Sequence, residues 1–254
     1  MRPQRILHLV TLFFNLALLA ASLFASAGWA AETAPPALTK EAVEQIIRQF
    51  LMDHPEVVMD SVRQFQERQR AEERKRAGAA IATRQDDLLR DPASPVAGNP
   101  KGDVTVVEFF DYRCGYCKRV TSVLKEIMAG DPNLRVVFKE LPILSPESNL
   151  AAKAALAAEA QGKYLPFHEA LMASDSSLSM PDILQLAAAL NLDIGKLQAD
   201  MNKPEIQAAI QKNHALSQAL GITGTPAFII GPELIPGAIE LPTFKELIAK
   251  ARKR

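Results

Sequence analysis

Two cysteines, Cys114 and Cys117, have the residue type and spacing that most directly indicate chemistry in this 254-residue chain. Only Gly115 and Tyr116 separate them. The pair follows VTVVEFF, a predicted strand, and precedes KRVTSVLKEIMAG, a predicted helix, so Cys114 falls at a helix N-terminus. Unpaired backbone N–H groups and the helix dipole favour a thiolate there. We therefore predict that Cys114 is the attacking thiol and that Cys117, on the same helical face, is the resolving thiol.

Other uses of the cysteine pair stay open from the residues alone. A zinc site usually needs four ligands, but the sequence has no second C-x-x-C motif, and His54, His168 and His214 lie far from the pair. The reduced thiols of Cys114 and Cys117 could bind copper as an additional property, because soft ligands suit Cu(I). An inert disulfide is a third alternative, although closing so short a loop contributes little stability. We favour a redox-active Cys114–Cys117 disulfide that needs no separate cofactor.

The segments around the motif predict an α/β domain. The strand at 104–110 is followed by the helix and then by a second strand at 134–141, which is the order of a βαβ unit with a right-handed crossover. Alanine-rich helical periodicity fills 147–220, the run AFIIG is a short strand, and LPTFKELIAKARKR is a closing helix. The prolines and glycines of 91–103 predict a linker or entry loop.

The first thirty residues have the order of a secretory signal. Arg2 and Arg5 precede a long apolar run and small residues follow it, so residues 1–30 are predicted to be removed by cleavage after Ala27 or Ala30. An uncleaved membrane anchor is the alternative, since the apolar run is nearly long enough to span a bilayer. Export would place the cysteines in an oxidising compartment, where a disulfide forms and persists.

The charges of the chain balance, with 29 basic and 29 acidic residues. No field of one sign indicates a nucleic-acid partner or an anionic membrane surface. Hydrophobic residues make up 48% of the chain, which is enough for one core with an extension or for two small domains.

A helical module is predicted ahead of the α/β domain. Thr39 is expected to cap a helix in which apolar residues recur every three or four positions up to a break at Pro55. The apolar pattern resumes briefly and then stops in the charged run QERQRAEERKR at 66–76, which is either a solvated helix or not helical. We predict that residues 31–91 form an oligomerisation module and a charged linker helix, with self-association into a homo-oligomer through 39–65.

The run VVEFFDYRCGYC, followed by a long helical stretch and then GITGTPAFIIG, resembles the DsbA-like branch of the thioredoxin superfamily over roughly residues 94–254. The resemblance implies a thioredoxin-like fold at 92–254 with a helical insertion at about 145–220. It also implies a cis peptide bond between Thr225 and Pro226, in a loop that offers backbone groups to an extended substrate.

The same resemblance implies roles for further residues. Thr225 and Pro226, together with Gly115 and Tyr116 between the cysteines, would bind substrate. Glu108 would lie buried near the resolving cysteine and take its proton. A strand glutamate that simply faces solvent is the alternative.

Four further residues have simpler interpretations beside the functional ones. Lys118 and Arg119 could raise the local positive potential, but a solvated first turn of the helix is the preferred interpretation. Tyr112 could flank a substrate groove or pack in the core. His168 is interpreted as an ordinary helix residue rather than a catalytic one.

Two features indicate an activity within the family. The Gly115-Tyr116 dipeptide resembles that of the disulfide isomerase DsbC, not the Pro-His of the DsbA oxidase, and a threonine before the late proline also resembles isomerases. Without that histidine we expect a less strongly oxidising couple than in the oxidases. The segment VEQIIRQFLMDHPEVVMDSVRQFQERQ resembles the oligomerisation segment of the suppressor-of-copper-sensitivity protein C (ScsC) group, whose members are dimeric or trimeric thiol oxidoreductases.

These resemblances imply a periplasmic disulfide isomerase or reductase that acts through Cys114 and Cys117 on unfolded or misoxidised exported proteins. A membrane thiol reductase would donate electrons, because an isomerase works with reduced Cys114. A DsbA-like dithiol oxidase is the alternative within enzymes. A copper- or thiol-binding carrier, in line with the copper tolerance in the group's name, is the alternative of another class.

Overall fold

The structure is a computed structural model and describes residues 38–253. These residues divide into two compact units, one that ends at Val62 and one that begins at Arg63. The predicted signal peptide at 1–30 lies outside the described residues. Between residues 38 and 253, no helix combines the length and the apolar character needed to cross a bilayer.

The first unit is helical. Helix α1 (Lys40–Asp53) begins where the Thr39 side chain accepts a hydrogen bond from the Ala42 N–H at 3.2 Å, which confirms the predicted cap. The helix ends before Pro55, whose ring disfavours helical geometry in the preceding residue. No residue of α1 is buried, and its large apolar side chains are exposed: Val43, Ile46, Ile47, Phe50, Leu51 and Met52.

Helix α2 (Pro55–Thr83) continues through the charged run at 66–76, all of which is exposed, so the run is a solvated helix. Near the end of α2, Ile81 is buried, and the short helix α3 (Gln85–Leu89) buries Leu88. Both side chains pack in one hydrophobic cluster with residues of the sheet. The end of the segment 31–91, which was predicted as a module with a linker helix, therefore packs against the sheet. The boundary at residue 91 stays a prediction.

Five strands of the described residues form one sheet in the order β1-β3-β2-β4-β5. The strands are β1 (Val96–Gly98), β2 (Val104–Phe110), β3 (Leu134–Glu140), β4 (Ala227–Ile230) and β5 (Glu233–Pro236). Strands β2 and β3 are parallel, with Glu108 opposite Phe138 and Phe110 opposite Glu140, and the other neighbouring pairs are antiparallel. Helix α4 (Gly115–Gly130) connects the parallel pair, which confirms the predicted βαβ unit.

Alternation along β2 directs its side chains to both faces of the sheet. Val106 and Phe110 pack on the α4 face, in the larger core cluster that also contains Cys117. Val107 and Phe109 pack on the other face, in the smaller cluster. Because Glu108 alternates in step with Val106 and Phe110, its carboxyl group is directed into the core on the side of the cysteines.

Helices fill the chain between β3 and β4, as the alanine-rich periodicity predicts. They are α5 (Pro146–Glu159), α6 (Tyr164–Ala173), α7 (Met180–Ala189), α8 (Ile194–Met201) and α9 (Pro204–Ala219), and α10 (Leu241–Arg252) follows β5. The sequence interpretation missed β5 and also β1, which lies inside the predicted linker at 91–103. The three residues of β1 pair with β3, and they are too few to show an alternating pattern.

Candidate active site

Residues 111–113, here called the nucleophile loop, follow β2 and lead into Cys114, directly before α4. Cys114 is the N-cap of α4, and its sulfur accepts a hydrogen bond from the N–H of Cys117 at 3.4 Å. The N–H of Cys114 donates to the carbonyl oxygen of Asp111 at 3.1 Å. The cysteine occupies the position at which Ser or Asp usually caps a helix, so the helix N–H groups face its sulfur. The predicted placement of Cys114 at a helix N-terminus is confirmed.

Asp111 attaches the nucleophile loop to the chain that follows β3. Its carboxylate accepts hydrogen bonds from the N–H groups of Arg113 (2.7 Å), Ile143 (2.8 Å) and Leu144 (3.0 Å) and from the Ser148 hydroxyl (2.7 Å). Four donors saturate the carboxylate and fix the loop in place. The sequence interpretation missed this role, because most of the donors are more than thirty positions away.

The late proline loop lies against the nucleophile. The Thr225–Pro226 peptide bond is cis, which confirms the prediction. The Cys114 sulfur lies 3.2 Å from the Thr225 carbonyl oxygen, to which its protonated form donates a hydrogen bond. The Pro226 carbonyl oxygen accepts a hydrogen bond from the Gly237 N–H at 2.8 Å, which ties the loop to the end of β5. The structure thus brings together Cys114, Cys117 and the Thr225–Pro226 loop.

The two thiols have opposite environments. A hydrogen bond from the Cys117 thiol, aided by the backbone N–H groups of Cys117 and Tyr116, lowers the pKa of Cys114 to about 5. Burial, followed by the hydrogen bond to Cys114, raises the pKa of Cys117 far above its usual range. At neutral pH Cys114 is therefore a thiolate and Cys117 a thiol, and both are free cysteines in this structure.

Glu108 lies on the Cys117 side of the sheet and is buried, with 1% of its surface exposed, so the solvent-facing alternative is wrong. Its Oε1 atom has no hydrogen-bond partner in the structure. Burial, and secondly the negative charge of Cys114, raise the pKa of Glu108 to about 8. A buried acid with an unpartnered oxygen atom next to two thiols is suited to exchange a proton with one of them.

Residues 105–249 match the family model described as the DSBA-like thioredoxin domain. The chain belongs to this DsbA-like family. Residues 40–72 match a second model, described as the Copper resistance protein ScsC N-terminal domain. The two matches confirm both predicted resemblances, and the DsbA-like match covers more than half of the chain.

Solved structures that are similar to this DsbA-like chain include the following three. A thioredoxin-like oxidoreductase from Silicibacter pomeroyi DSS-3 is 46% identical and covers 66% of this chain and 98% of its own, with a TM-score of 0.65. The catalytic domain of Proteus mirabilis ScsC is 28% identical over 70% of this chain and 99% of its own, with a TM-score of 0.65. A periplasmic thioredoxin-like protein from Salmonella enterica serovar Typhimurium is 32% identical over 67% and 96%, with a TM-score of 0.59. They confirm the thioredoxin-like fold.

The curated relatives are longer than this chain. The Na(+)/H(+) antiporter NhaA of Herminiimonas arsenicoxydans is 27% identical over 172 residues, which are 65% of this chain and 27% of the antiporter. A second antiporter, NhaA 3 of Salinispora tropica, is 29% identical over 53% of this chain and 21% of its own. The DsbA-like chain thus spans about a quarter of the length of these relatives.

The dipeptide between the cysteines faces outward in the DsbA-like site. Gly115 and Tyr116 are exposed, and the space around Gly115 is open. The guanidinium carbon of Arg119 lies 4.3 Å from the centre of the Tyr116 ring, and the Lys118 amine donates to the Ser174 carbonyl oxygen. Both basic residues therefore have partners other than the Cys114 thiolate.

Behind the nucleophile loop lies a buried polar cluster, defined as Tyr112, Glu140, Tyr164 and His168. Tyr112 is 1% exposed, so it packs inside and does not flank a groove. His168 is also buried, and its Nδ1 atom lies 3.1 Å from the Tyr112 hydroxyl. The sequence interpretation missed Glu140 and Tyr164. A signal existed for Glu140, since it ends the apolar strand LRVVFKE much as Glu108 lies within VTVVEFF.

The cysteine pair offers two soft ligands for a metal ion. Among residues 38–253, no group of three or more His, Cys, Asp or Glu side chains is arranged to hold a metal ion. Two thiolates alone suit Cu(I), which accepts soft ligands, so Cys114 and Cys117 stay the candidate pair for copper.

Proposed function

We propose that this DsbA-like protein is a periplasmic thiol–disulfide oxidoreductase that isomerises wrongly paired disulfides of exported proteins. The observation that carries the proposal is the difference between its two thiols. Cys114 has a pKa of about 5 and lies 3.2 Å from the Thr225 carbonyl oxygen, whereas Cys117 is fully buried with a raised pKa. At pH 7 one thiolate thus lies beside a backbone group that an extended substrate would bind.

The isomerisation cycle transfers no net electrons. The Cys114 thiolate attacks one sulfur of a substrate disulfide, the substrate S–S bond breaks, and its other sulfur leaves as a thiolate. That thiolate attacks a second disulfide within the same substrate. A substrate thiolate finally attacks the mixed disulfide at the substrate sulfur, and Cys114 leaves as a thiolate.

Cys117 releases a substrate that stays bound to Cys114 in the mixed disulfide. Its thiol gives a proton to Glu108, its sulfur attacks the sulfur of Cys114, and the substrate leaves as a reduced thiolate. In the mixed disulfide Cys114 has lost its charge, so one cause of the raised pKa of Glu108 is gone and its carboxylate form is more populated. Two electrons from a membrane thiol reductase then restore the dithiol.

Isomerisation, as opposed to net oxidation, is supported by two features. The Gly115-Tyr116 dipeptide supplies no histidine to stabilise the Cys114 thiolate further. The exposed apolar face of α1 lies in the part of the chain that matches the ScsC N-terminal domain, and its burial between copies would give a homo-oligomer. Several active sites would then act on one substrate, and a separate enzyme that oxidises monomeric relatives would have less access to them.

A DsbA-like dithiol oxidase is the second candidate, and one observation favours it. A Cys114 pKa of about 5 stabilises the reduced form relative to the disulfide, which makes a couple more oxidising. The two activities differ in the form that accumulates in the cell, because an oxidase is kept as the disulfide and an isomerase as the dithiol.

A copper- or thiol-binding carrier is the candidate of another class. It is supported by the soft thiol pair and by the ScsC match, which is described as a copper resistance protein. Metal analysis of the purified reduced protein tests it against a Cys117→Ala variant. A carrier retains copper that depends on Cys117 and has no disulfide exchange that depends on Cys114, whereas our proposal predicts that exchange.

Trapping the thiols in intact cells tests the preferred activity. Acid quenching followed by alkylation reports the fraction of Cys114 that is reduced. We expect mostly dithiol protein, and a Cys117→Ala variant should accumulate mixed disulfides that a Cys114→Ala variant lacks. Protein found almost wholly as the Cys114–Cys117 disulfide would favour the oxidase, and absence of Cys114-dependent mixed disulfides would contradict both enzymatic candidates.

A further inference from the structure

The polar cluster behind the nucleophile loop is buried and closely hydrogen-bonded. The Tyr112 and Tyr164 hydroxyls both lie 2.9 Å from Oε1 of Glu140, and the Tyr112 hydroxyl lies 3.1 Å from Nδ1 of His168. At most 4% of any of these four residues is exposed. Neither substrate nor solvent reaches the cluster, so its role must be exerted through the protein.

The Tyr112 hydroxyl has two partners in the cluster. It donates to Oε1 of Glu140, and its oxygen also makes a hydrogen bond with Nδ1 of His168, in which the tautomer of the ring sets the donor. Burial lowers the pKa of His168 to about 3, so the ring is neutral at pH 7. The Tyr112 hydroxyl is thus held from both sides, by one partner on β3 and one on α6.

Tyr112 carries this constraint to the nucleophile. It is the middle residue of the nucleophile loop, two positions before Cys114, and the neighbouring Asp111 carbonyl accepts the N–H of Cys114. The sulfur of Cys114 depends in turn on its 3.4 Å contact with the N–H of Cys117. A shift of Tyr112 would therefore change the hydrogen bonds that favour the thiolate.

We propose that Tyr112 and Glu140 are positioning residues for Cys114, and that the hydrogen bond between them fixes the sulfur against the N-terminus of α4. This inference rests on the proposed role of Cys114 as the attacking thiol. It gives the helical insertion a function in catalysis, because His168 and Tyr164 come from α6.

Tyr164 provides a matched control. Its hydroxyl donates to the same Glu140 oxygen at the same 2.9 Å, but Tyr164 lies on α6 and not in the nucleophile loop. Tyr→Phe substitution at either position removes one hydroxyl and keeps the ring. The Tyr112 ring keeps its edge contact with Phe110, whose centre is 5.3 Å away.

The experiment compares Tyr112→Phe with Tyr164→Phe in the full chain. We measure the pKa of Cys114 from the ultraviolet absorbance of its thiolate, the rate at which reduced protein attacks a model disulfide, and the urea midpoint of unfolding. Both variants should lower the urea midpoint, Tyr112→Phe by more because its hydroxyl contacts both Glu140 and His168. Only Tyr112→Phe should raise the pKa of Cys114, by about half a unit or more, and slow the attack roughly tenfold.

Two variants of Glu140 complete the test. Glu140→Gln keeps a carbonyl acceptor for both phenols and should leave the pKa of Cys114 near the wild-type value, whereas Glu140→Leu should behave like Tyr112→Phe. Equal effects of Tyr112→Phe and Tyr164→Phe on the pKa of Cys114 would overturn the inference. Failure of the proposed function is seen separately. In that case a Cys114→Ala variant would exchange disulfides as fast as wild type.

Discussion

At the level of single residues, Glu108 links the stability of the protein to its chemistry. Its pKa is raised from 4.5 to about 8, first by burial and then by the charge of Cys114. Between these two values the unfolded chain releases the proton while the folded protein retains it. The free energy of unfolding therefore falls as pH rises through this window, by at most about 1.4 kcal/mol per pH unit for this one group.

Glu108→Gln should remove this pH dependence. We expect the variant to be about as stable as wild type near pH 4 and increasingly more stable towards pH 8, because Gln has no proton to lose. Urea unfolding of the oxidised protein measures the part of this difference that comes from burial, since Cys114 neither titrates nor carries a charge in the disulfide. A stability difference that is constant from pH 4 to pH 8 would show that Glu108 is ionised in the folded protein.

At the level of elements, a buried lysine joins the segment before β1 to β3. The Lys139 amine donates to the Asp87 carbonyl oxygen (2.6 Å) and the Ser94 hydroxyl (2.6 Å), and it lies 3.4 Å from the Asp91 carboxylate. Lys139 is completely buried, and burial lowers its pKa. The amine thus donates to polar groups at the end of α3 and before β1, and its positive charge adds to that of Lys212 at Asp91.

Lys139→Met should destabilise the protein by about 3 kcal/mol, because it keeps the apolar stem but leaves Asp91 and the Asp87 carbonyl with fewer partners. Urea unfolding checks this value. Lys153→Met is the control, since that lysine lies only partly buried on α5 and its side chain makes no hydrogen bond or ion pair within residues 38–253. Equal losses in the two variants would contradict the assigned role of Lys139.

Local pattern was enough to predict the main elements. The apolar runs of β2 and β3, the period of α4 and the Thr39 cap all depend on neighbours within a few positions, and the structure contains each of them. The polar cluster depends on packing instead. Tyr112 and His168 are 56 positions apart, and no local rule indicates that they meet.

The same limit applies to Lys139 and to the anchoring of the nucleophile loop. Lys139 has the residue type of an exposed strand position, but the segment before β1 covers it. The cysteine site was predictable because its parts combine a short motif, a helix N-terminus and a family resemblance. The anchoring of its loop by Asp111 and Tyr112 required the positions of α5 and α6, which the sequence alone did not provide.

At the level of the whole molecule, the central proposal joins the cysteine site to self-association through α1. Ile47 and Phe50 are about half exposed and lie on the apolar face of this helix. Covering such a face with a second copy removes apolar surface from water, which stabilises the oligomer. Charges placed on this face should therefore separate the copies without altering the cysteine site.

An Ile47→Glu/Phe50→Glu variant should be monomeric in sedimentation velocity, whereas wild type should be a dimer or trimer. Gln45→Glu/Gln49→Glu is the control, since it adds two acidic side chains to the same helix and leaves the apolar residues in place. Wild-type protein that sediments as a monomer at micromolar concentration would contradict self-association through 39–65.

The most direct test of the central claim is refolding of a substrate with scrambled disulfides, followed by recovery of its native activity. Point variants are preferable to a chain that starts at residue 92, because that truncation removes the buried residues Ile81 and Leu88. We predict that reduced wild type restores native pairing and that Ile47→Glu/Phe50→Glu does so poorly while still oxidising a reduced substrate. Wild-type protein that oxidises reduced substrate well but does not restore native pairing would contradict the isomerase proposal.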